Sequence, residues 1–312
     1  MKIAFMFPGQ GSQYVGMGKE LYEKHDIVRE YYKRADERLG IGLTKLMFEG
    51  PKEELTLTYN AQPAILTMSV AIYKLIRSVS RIEPSMCMGH SVGEYSALAA
   101  ASVVGFEDAV YAVRKRGEAM QAAVKPGEGT MAAVIGLDEP VIKDLLMRAQ
   151  GETGSVVEIA NYNSPEQIVI SGHTNAVEYA MDLLRANGAR IAKKLEVSAP
   201  FHSSLMEPAV SGMRDVLKNI VLNNMTCPVV FNVDAQAHTS GNDIVPLLLK
   251  QLVSPVRWVD SIIFAIKNGV DTFIEIGPGK VLTGLVKRIN SSVRLFNVHD
   301  PATLEQINIL IQ

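Results

Sequence analysis

A serine flanked by glycines is the clearest sign of chemistry in the sequence. The segment 89–93, Gly-His-Ser-Val-Gly, follows an apolar run at 84–88 and precedes a helical stretch at 94–101. This strand-turn-helix context predicts a sharp turn that exposes the Ser91 hydroxyl as a nucleophile. A helix N-terminus there would offer free N–H groups, including that of Val92, to an oxyanion. The alternative is a glycine-rich turn with a capping serine, because short motifs often occur without function.

A serine nucleophile needs a base, and the chain has histidines that could supply one. They are His25, His90, His173, His202, His238 and His299. His202 is the better candidate because Pro200 fixes the backbone just before it, although a structural role is commoner for any one histidine. His90 directly precedes Ser91 on the tight turn, so its ring is expected to point away from the hydroxyl. No third carboxylate stands out, so we expect a dyad whose imidazole is oriented by a carbonyl oxygen.

A second loop, 7–13, follows the first apolar run and must turn tightly because it contains a proline and two glycines. Ligands of open α/β sheets gather at the carboxyl ends of the strands. A backbone N–H from such a loop is the usual second oxyanion donor, and Gln10 is the candidate here. A plain turn between strand and helix is the alternative interpretation. A phosphate-binding P-loop is excluded because its lysine is missing.

Two arginines lie on a predicted helix beyond the serine motif. Arg114 and Arg116 are two positions apart, so they lie on nearly opposite faces and at most one can point into a cleft. An arginine in the cleft could grip a substrate carboxylate through two parallel hydrogen bonds. Spacing alone does not choose between them, and charged helix residues usually lie in water.

Strands and helices in alternation must position these groups, which favours a mostly parallel sheet covered by helices. Apolar runs bounded by turn residues predict strands at 3–7, 84–88, 229–233, 272–276 and 294–298. Apolar residues at steps of three and four predict a helix at 61–80. Two more helices are expected at 91–101 and 107–123.

The pattern changes between 130 and 197, where a strand, a helix, two strands, a helix and a final strand are predicted. The strands are expected at 131–135, 156–160, 168–170 and 191–197, with a loop at 161–165. This β-α-β-β-α-β order is that of a ferredoxin-like unit. We therefore expect a small domain, 128–197, inserted into a large domain that is formed by 1–127 and 198–312. The cleft between the two domains is the expected ligand site.

Composition excludes several classes of protein. The chain has 312 residues, 47% hydrophobic and 21% charged, which is typical of a globular protein rather than a disordered one. A net charge of -2 provides no general attraction to nucleic acid or to an anionic membrane. No apolar run approaches the length of a membrane helix or signal peptide. Cys87 and Cys227 suit a reducing compartment, so we expect a soluble cytoplasmic protein without a disulfide.

Seven segments resemble motifs of the malonyl-CoA:acyl carrier protein transacylase family, in the family's order and along nearly the whole chain. They are Phe-Pro-Gly-Gln-Gly-Ser-Gln (7–13), Gly-His-Ser-Val-Gly-Glu (89–94), Arg-Gly-Glu-Ala-Met-Gln (116–121), Asn-Tyr-Asn-Ser-Pro (161–165), Pro-Phe-His-Ser (200–203), Ser-Pro-Val-Arg-Trp (254–258) and Glu-Ile-Gly-Pro-Gly (275–279). The resemblance implies a hydrolase-like large domain with a mostly parallel sheet and an inserted ferredoxin-like small domain.

The resemblance also implies roles for particular residues. It places the nucleophile on Ser91, the base on His202 and the carboxylate-binding arginine on Arg116. Gln251 matches the glutamine whose carbonyl orients the histidine, which would explain the missing third carboxylate.

Further matching positions form the family's oxyanion hole or line its cleft. The oxyanion donors fall on the backbone of Gln10 and Val92. The remaining candidates for substrate binding are Gln62, Asn161, Phe201 and His90. Phe201 is similar to the bulky residue of malonyl-selective members, where a ring crowds an α-methyl branch. The resemblance implies neither a metal nor a cofactor.

The implied activity is ping-pong transfer of a malonyl group. Ser91 would be acylated by malonyl-CoA, and the phosphopantetheine thiol of holo acyl carrier protein would then take the group for fatty acid elongation. A serine hydrolase acting on esters or thioesters is the alternative, because its nucleophile, base and oxyanion hole would look alike. A non-catalytic carrier-docking module is a second alternative.

The carrier and its docking surface are less defined by the sequence. A fatty acid carrier fits a free-standing chain of this length better than a polyketide carrier does. Basic residues that could contact an acidic carrier, or could merely be solvated, are Lys193, Lys194, Lys287 and Arg288. A monomer is expected.

Overall fold

The computed structural model describes residues 1–307. The strands are β1 (Ile3–Phe7), β2 (Met86–Gly89), β3 (Gly129–Ile135), β4 (Val157–Ser164), β5 (Gln167–His173), β6 (Ile191–Lys194), β7 (Val229–Val230), β8 (Ala237–His238), β9 (Thr272–Ile276) and β10 (Arg294–Val298). The helices are α1 (Lys19–Lys24), α2 (Asp26–Leu39), α3 (Leu43–Glu49), α4 (Lys52–Thr56), α5 (Thr58–Val79), α6 (Gly93–Ala100), α7 (Phe106–Ala122), α8 (Glu139–Thr153), α9 (Thr174–Ala186), α10 (Glu207–Lys218), α11 (Ile244–Leu252), α12 (Trp258–Lys267), α13 (Val281–Ile289) and α14 (Pro301–Gln306).

The larger sheet has the order β10-β9-β1-β2-β7-β8, and all its pairings are parallel except that of β7 with β8. Every side chain of β1 is buried, as expected for a central strand with helices on both faces. The predicted α/β class with a mostly parallel sheet is confirmed. Because parallel strands end at the same edge, the loop after β1 and the turn after β2 lie side by side.

Strand ends differ from the sequence prediction where local chemistry interrupts the ladder. The bounds of β1, β9 and β10 are as predicted, whereas β2 begins at Met86, after Pro84. Proline has no N–H to donate to the sheet. Between Pro84 and the start of β2, the backbone N–H and the hydroxyl of Ser85 both donate to Ile3 O. The strand predicted at 229–233 is only two residues long, because Asn232 gives its N–H to a side chain.

The smaller sheet is antiparallel, with the order β4-β5-β3-β6, and has its own apolar core with α8 and α9. The elements follow the predicted β-α-β-β-α-β order. The loop predicted at 161–165 is wrong, because β4 continues to Ser164. Two irregularities in the pairing of β4 with β5 absorb the extra residues, and this polar stretch therefore remains in the ladder. The last strand, β6, ends at Lys194 rather than at position 197.

A β-bridge connects the smaller sheet to the segment that precedes α12. Asn161 of β4 forms a parallel bridge with Val256, whose N–H donates to Ala160 O and whose carbonyl accepts from Tyr162 N–H, each at 2.9 Å. This bridge holds β4 beside the segment that leads into α12. Within residues 1–307, no helix is both long and apolar enough to cross a bilayer.

Close packing of α5 against α7 depends on Gly117. A Cβ atom at this position would lie 2.5 Å from Tyr59 Cα and 2.8 Å from Thr58 O, which are backbone atoms. Gly212 in α10 is also a helix-interior glycine, but a Cβ there would have no neighbour within 4 Å.

We expect Gly117→Ala to lower the free energy of unfolding by about 1–3 kcal/mol, because the helices must separate. The matched variant Gly212→Ala should raise it by about 0.5–1 kcal/mol, through helix propensity. Urea unfolding of both variants measures the difference. Equal effects of the two substitutions would contradict the packing described here.

Candidate active site

The turn after β2 holds Ser91 in an unusual backbone conformation. Ser91 has φ 53°, in the left-handed region that residues with a side chain seldom adopt. The turn is tight enough that a Cβ on Gly93 would lie 2.1 Å from Phe7 O, and one on Gly89 would lie 1.9 Å from Gly93 C. Only glycine fits at these two positions, and the result is a partly exposed serine above the sheet edge, as in a nucleophile elbow.

His202 lies beside this serine although 111 positions separate them. Its Nε2 is 2.8 Å from Ser91 Oγ, and its Nδ1 is 2.8 Å from the backbone O of Gln251. Because a carbonyl oxygen only accepts hydrogen bonds, Nδ1 must carry the proton of the neutral ring. Nε2 is then the acceptor for the Ser91 hydroxyl, which is the tautomer that a general base requires.

The surroundings of His202 keep its imidazole neutral. Burial, together with the positive charge of Arg116, lowers the pKa of His202 to about 3. The hydrogen bond to the Gln251 carbonyl acts in the opposite direction but is outweighed. At neutral pH the ring is therefore free to accept a proton.

Arg116 is a buried cation at the same place. It is 1% exposed, and its Nη2 donates to Ser91 Oγ at 3.1 Å and to Gln251 Oε1 at 2.9 Å. Its Nη1 donates to Gln62 Oε1 at 2.8 Å. Within residues 1–307 it has no ion pair with a carboxylate, and its Nε has no hydrogen-bond partner. A buried guanidinium with only neutral partners is a site for an anionic group.

A chain of neutral side chains connects Arg116 to the loop after β1. Gln62 Nε2 donates to Thr58 Oγ1 at 3.0 Å, and the Thr58 hydroxyl donates to Gln10 Oε1 at 2.7 Å. Gln62 and Thr58 both lie in the first turns of α5 and are fully buried. The chain fixes the orientation of the guanidinium and ties the loop to it.

The two backbone N–H groups expected to serve an oxyanion are available. Within the part of the chain that the structure describes, neither Gln10 N–H nor Val92 N–H donates to a protein acceptor. The loop lies against the serine turn, since a Cβ on Gly9 would be 2.6 Å from His90 O. Both donors therefore flank the turn that carries Ser91.

Gln251 contacts Ser91, His202 and Arg116, each with a different atom. Its backbone carbonyl accepts from His202, its Oε1 accepts from Arg116, and its Nε2 donates to Ser91 O at 3.1 Å. It lies near the end of α11 and is fully buried. One residue thus fixes the imidazole and the guanidinium relative to each other.

The other candidates lie around this centre in different ways. His90 bonds through Nε2 to Asn163 Oδ1 at 2.8 Å, and its ring lies 5.7 Å from that of Trp258. Burial lowers the pKa of His90. Asn161 is buried in β4, and Phe201 is buried directly before His202.

Arg114 points elsewhere. It pairs with Glu118 at 2.7 Å and donates to Asn60 Oδ1 at 2.7 Å, away from Ser91. The two arginines of α7 therefore have separate environments, one paired with an acid and partly exposed, the other buried.

Comparison with known proteins places this geometry in a family. The acyl transferase domain model matches residues 4–303. The malonyl CoA-acyl carrier protein transacylase of Bacillus subtilis is 52% identical over 304 residues, covering 97% of this chain and 95% of that protein. The chain belongs to the malonyl-CoA:acyl carrier protein transacylase family.

Solved structures of transacylases superpose on the whole chain. That of the malonyl CoA-acyl carrier protein transacylase from Coxiella burnetii has a TM-score of 0.97 at 41% identity, covering 100% of this chain and 98% of that one. A malonyl-transacylase solved in complex with a type II polyketide acyl carrier protein has a TM-score of 0.95 at 42% identity, with 98% of each chain covered.

Four residues of this transacylase site are absent from the sequence-based candidates: Thr58, Glu94, Asn163 and Asn232. Glu94 follows the serine motif directly, and Asn232 ends a strand at the carboxyl edge of the sheet, where ligands gather. These sequence positions were the signals from which Glu94 and Asn232 could have been predicted. Asn163 lies in the motif 161–165, which was its signal. Thr58 offered none, because its contact to Gln10 depends on how distant segments meet.

We expect the His202 imidazole to stay neutral between about pH 8 and pH 5, since its lowered pKa lies below that range. Nitrogen-15 NMR of histidine-labelled protein measures this, and His202→Ala identifies the signal. A titration of that signal with a midpoint near pH ~6.5, the value of a free imidazole, would contradict the described environment.

Proposed function

We propose that the protein transfers a malonyl group from malonyl-CoA to the thiol of acyl carrier protein through a malonyl-Ser91 intermediate. The observation that carries this proposal is the 3.1 Å distance between Arg116 Nη2 and Ser91 Oγ. In a malonyl thioester the free carboxylate is only two bonds from the carbonyl carbon that Ser91 would attack. An anion site directly beside the nucleophile therefore suits a three-carbon diacid better than a longer one.

In the first half-reaction, Ser91 Oγ attacks the thioester carbonyl while His202 Nε2 takes the hydroxyl proton. The negative charge that develops on the carbonyl oxygen is stabilised by the N–H groups of Gln10 and Val92. The tetrahedral intermediate collapses as His202 returns the proton to the leaving sulfur. CoA departs as a thiol, and the malonyl group stays on Ser91 as an ester.

The carboxylate of the substrate would take over the guanidinium during this step. In the structure, Arg116 donates to the Ser91 oxygen, which reduces the basicity of that oxygen. A carboxylate forms stronger, charge-assisted hydrogen bonds with Arg116. Its arrival would free Ser91 Oγ for attack, so the substrate's own charge would contribute to activating the nucleophile.

The second half-reaction runs these steps in reverse with a different thiol. His202 removes the proton from the phosphopantetheine thiol of the carrier, and the sulfur attacks the malonyl ester on Ser91. The bond between the carbonyl carbon and Ser91 Oγ then breaks as His202 returns the proton to that oxygen, which regenerates the free serine. The transacylase solved with a polyketide carrier supports a carrier as the acceptor. We infer that the product supplies fatty acid elongation.

The architecture that supports this function has two parts. We propose a hydrolase-like large domain, 1–127 and 198–312, and a ferredoxin-like small domain, 128–197. The sheet order β4-β5-β3-β6 and the separate apolar core support the second description. The sequence has only two cysteines, Cys87 and Cys227, which fits a reducing compartment, so we place the enzyme in the cytoplasm.

Incubation with malonyl-CoA should add one malonyl group to Ser91, detected by mass spectrometry of the intact protein with peptide mapping. Holo acyl carrier protein should remove the group and become malonylated. Ser91→Ala should acquire no malonyl group, and the surface variant Ser211→Ala should behave as the wild type.

Two outcomes would contradict the proposal. Rapid release of free malonate without a carrier would indicate a hydrolase. Carrier malonylation by Ser91→Ala at the wild-type rate would remove the covalent intermediate from the mechanism.

A further inference from the structure

The Asn232 side chain forms hydrogen bonds with two backbone groups of the serine turn. It is fully buried just after β7, the neighbour of β2 in the sheet. Its Oδ1 accepts from Ser91 N–H at 2.8 Å, and its Nδ2 donates to Gly89 O at 2.7 Å. Both ends of one amide group are thus used on the two sides of His90.

The turn needs such a partner because its conformation is strained. A residue with a side chain at φ 53° persists only when its surroundings hold it there. Relaxation of Ser91 to negative φ would turn its Oγ away from His202. Without Asn232, the Ser91 N–H and the Gly89 carbonyl would lose their partners, which would favour such a relaxation.

Asn232 is itself fixed by two further residues. Its backbone N–H donates to Glu94 Oε2 at 2.7 Å, and its Oδ1 also accepts from Gln251 Nε2 at 3.2 Å. Glu94 is fully buried in the first turn of α6, directly after the serine motif. Each of these bonds comes from a different part of the chain, and together they enclose the serine turn.

Glu94 fulfils this role as a neutral acceptor. Burial raises the pKa of Glu94 to about 8, so the carboxyl group retains its proton at neutral pH. An uncharged Glu94 also leaves the positive charge of Arg116 available to a ligand. A glutamine at this position would offer the same acceptor in the same shape.

We propose that Asn232 is a positioning residue that holds Ser91 in its reactive conformation, and that Glu94 fixes Asn232. Within residues 1–307, neither side chain forms a hydrogen bond with the Ser91 hydroxyl, with His202 or with Arg116. This inference rests on the proposed acyl transfer, in which the rate depends on the Ser91 to His202 geometry.

The test is the single-turnover rate of malonyl-Ser91 formation, measured against malonyl-CoA concentration. We expect Asn232→Ala to lower the maximal rate by about 100-fold, the effect of a small misplacement of a reacting group. The half-saturating concentration should change little, because the bonds from Arg116 to Gln62 and Gln251 remain. Asn219→Ala, at an exposed asparagine directly after α10, is the matched control and should react as the wild type.

Conservative replacement of Glu94 separates hydrogen bonding from folding. Glu94→Gln keeps the acceptor for Asn232 N–H, so its maximal rate should stay close to that of the wild type. Glu94→Ala removes the acceptor and should lower the maximal rate as Asn232→Ala does. Thermal unfolding of each variant establishes that the measured protein is folded.

Three results would overturn the inference while the wild type still forms malonyl-Ser91. They are an unchanged maximal rate in Asn232→Ala, a loss confined to the half-saturating concentration, and equal losses in Glu94→Gln and Glu94→Ala. Failure of the wild type to become malonylated would instead contradict the proposed function.

Discussion

The site depends on a buried positive charge that has no negatively charged partner within residues 1–307. Burying a guanidinium costs several kcal/mol unless its donors are satisfied. In the part of the chain that the structure describes, the two Nη groups of Arg116 donate to neutral oxygens, those of Gln62, Ser91 and Gln251. Glu94 is an acidic residue in its vicinity, and burial raises the pKa of Glu94 to about 8, which favours the uncharged carboxyl group at neutral pH. The positive charge of Arg116 is therefore available to bind an anionic ligand. Burial, together with this charge, lowers the pKa of His202, which keeps the imidazole neutral and able to accept a proton.

The groups that surround Arg116 also hold one another in place. Gln251 connects the guanidinium to the imidazole, and Asn232 connects Gln251 to the serine turn. The backbone of both Ser91 and His202 is left-handed, with φ of 53° and 58°. Two strained residues facing each other require rigid surroundings, which the neighbouring buried amides supply. Catalysis in this account relies on a preorganised site, in which the substrate replaces one hydrogen bond, that from Arg116 to Ser91 Oγ.

Much of this arrangement was predictable because its signals are local. The glycines of 89–93 define a sharp turn whatever surrounds it, and apolar runs such as 3–7 define central strands. The choice between Arg114 and Arg116 is different, since both fit the helix equally well. Glu118, four positions after Arg114, is the one local hint, because that spacing favours an ion pair.

What escaped prediction depends on segments that meet only in the folded chain. Asn232 reaches Ser91 across 141 positions, and no periodicity in the sequence indicates this contact. The stretch 161–164 is polar and resembles a loop, yet pairing irregularities keep it in β4, where Asn163 reaches His90. Such features follow from tertiary packing, which overrides local preference.

The most direct test of the central claim compares malonyl-CoA with acetyl-CoA as acyl donors for the wild type, Arg116→Ala and Arg114→Ala. Loss of two charge-assisted hydrogen bonds should lower the rate of Ser91 acylation by malonyl-CoA about 100-fold or more in Arg116→Ala. The rate of acylation by acetyl-CoA should not decrease in Arg116→Ala. Arg114→Ala should keep the wild-type preference for malonyl-CoA. An Arg116→Ala enzyme that still prefers malonyl-CoA as strongly as the wild type would contradict the account.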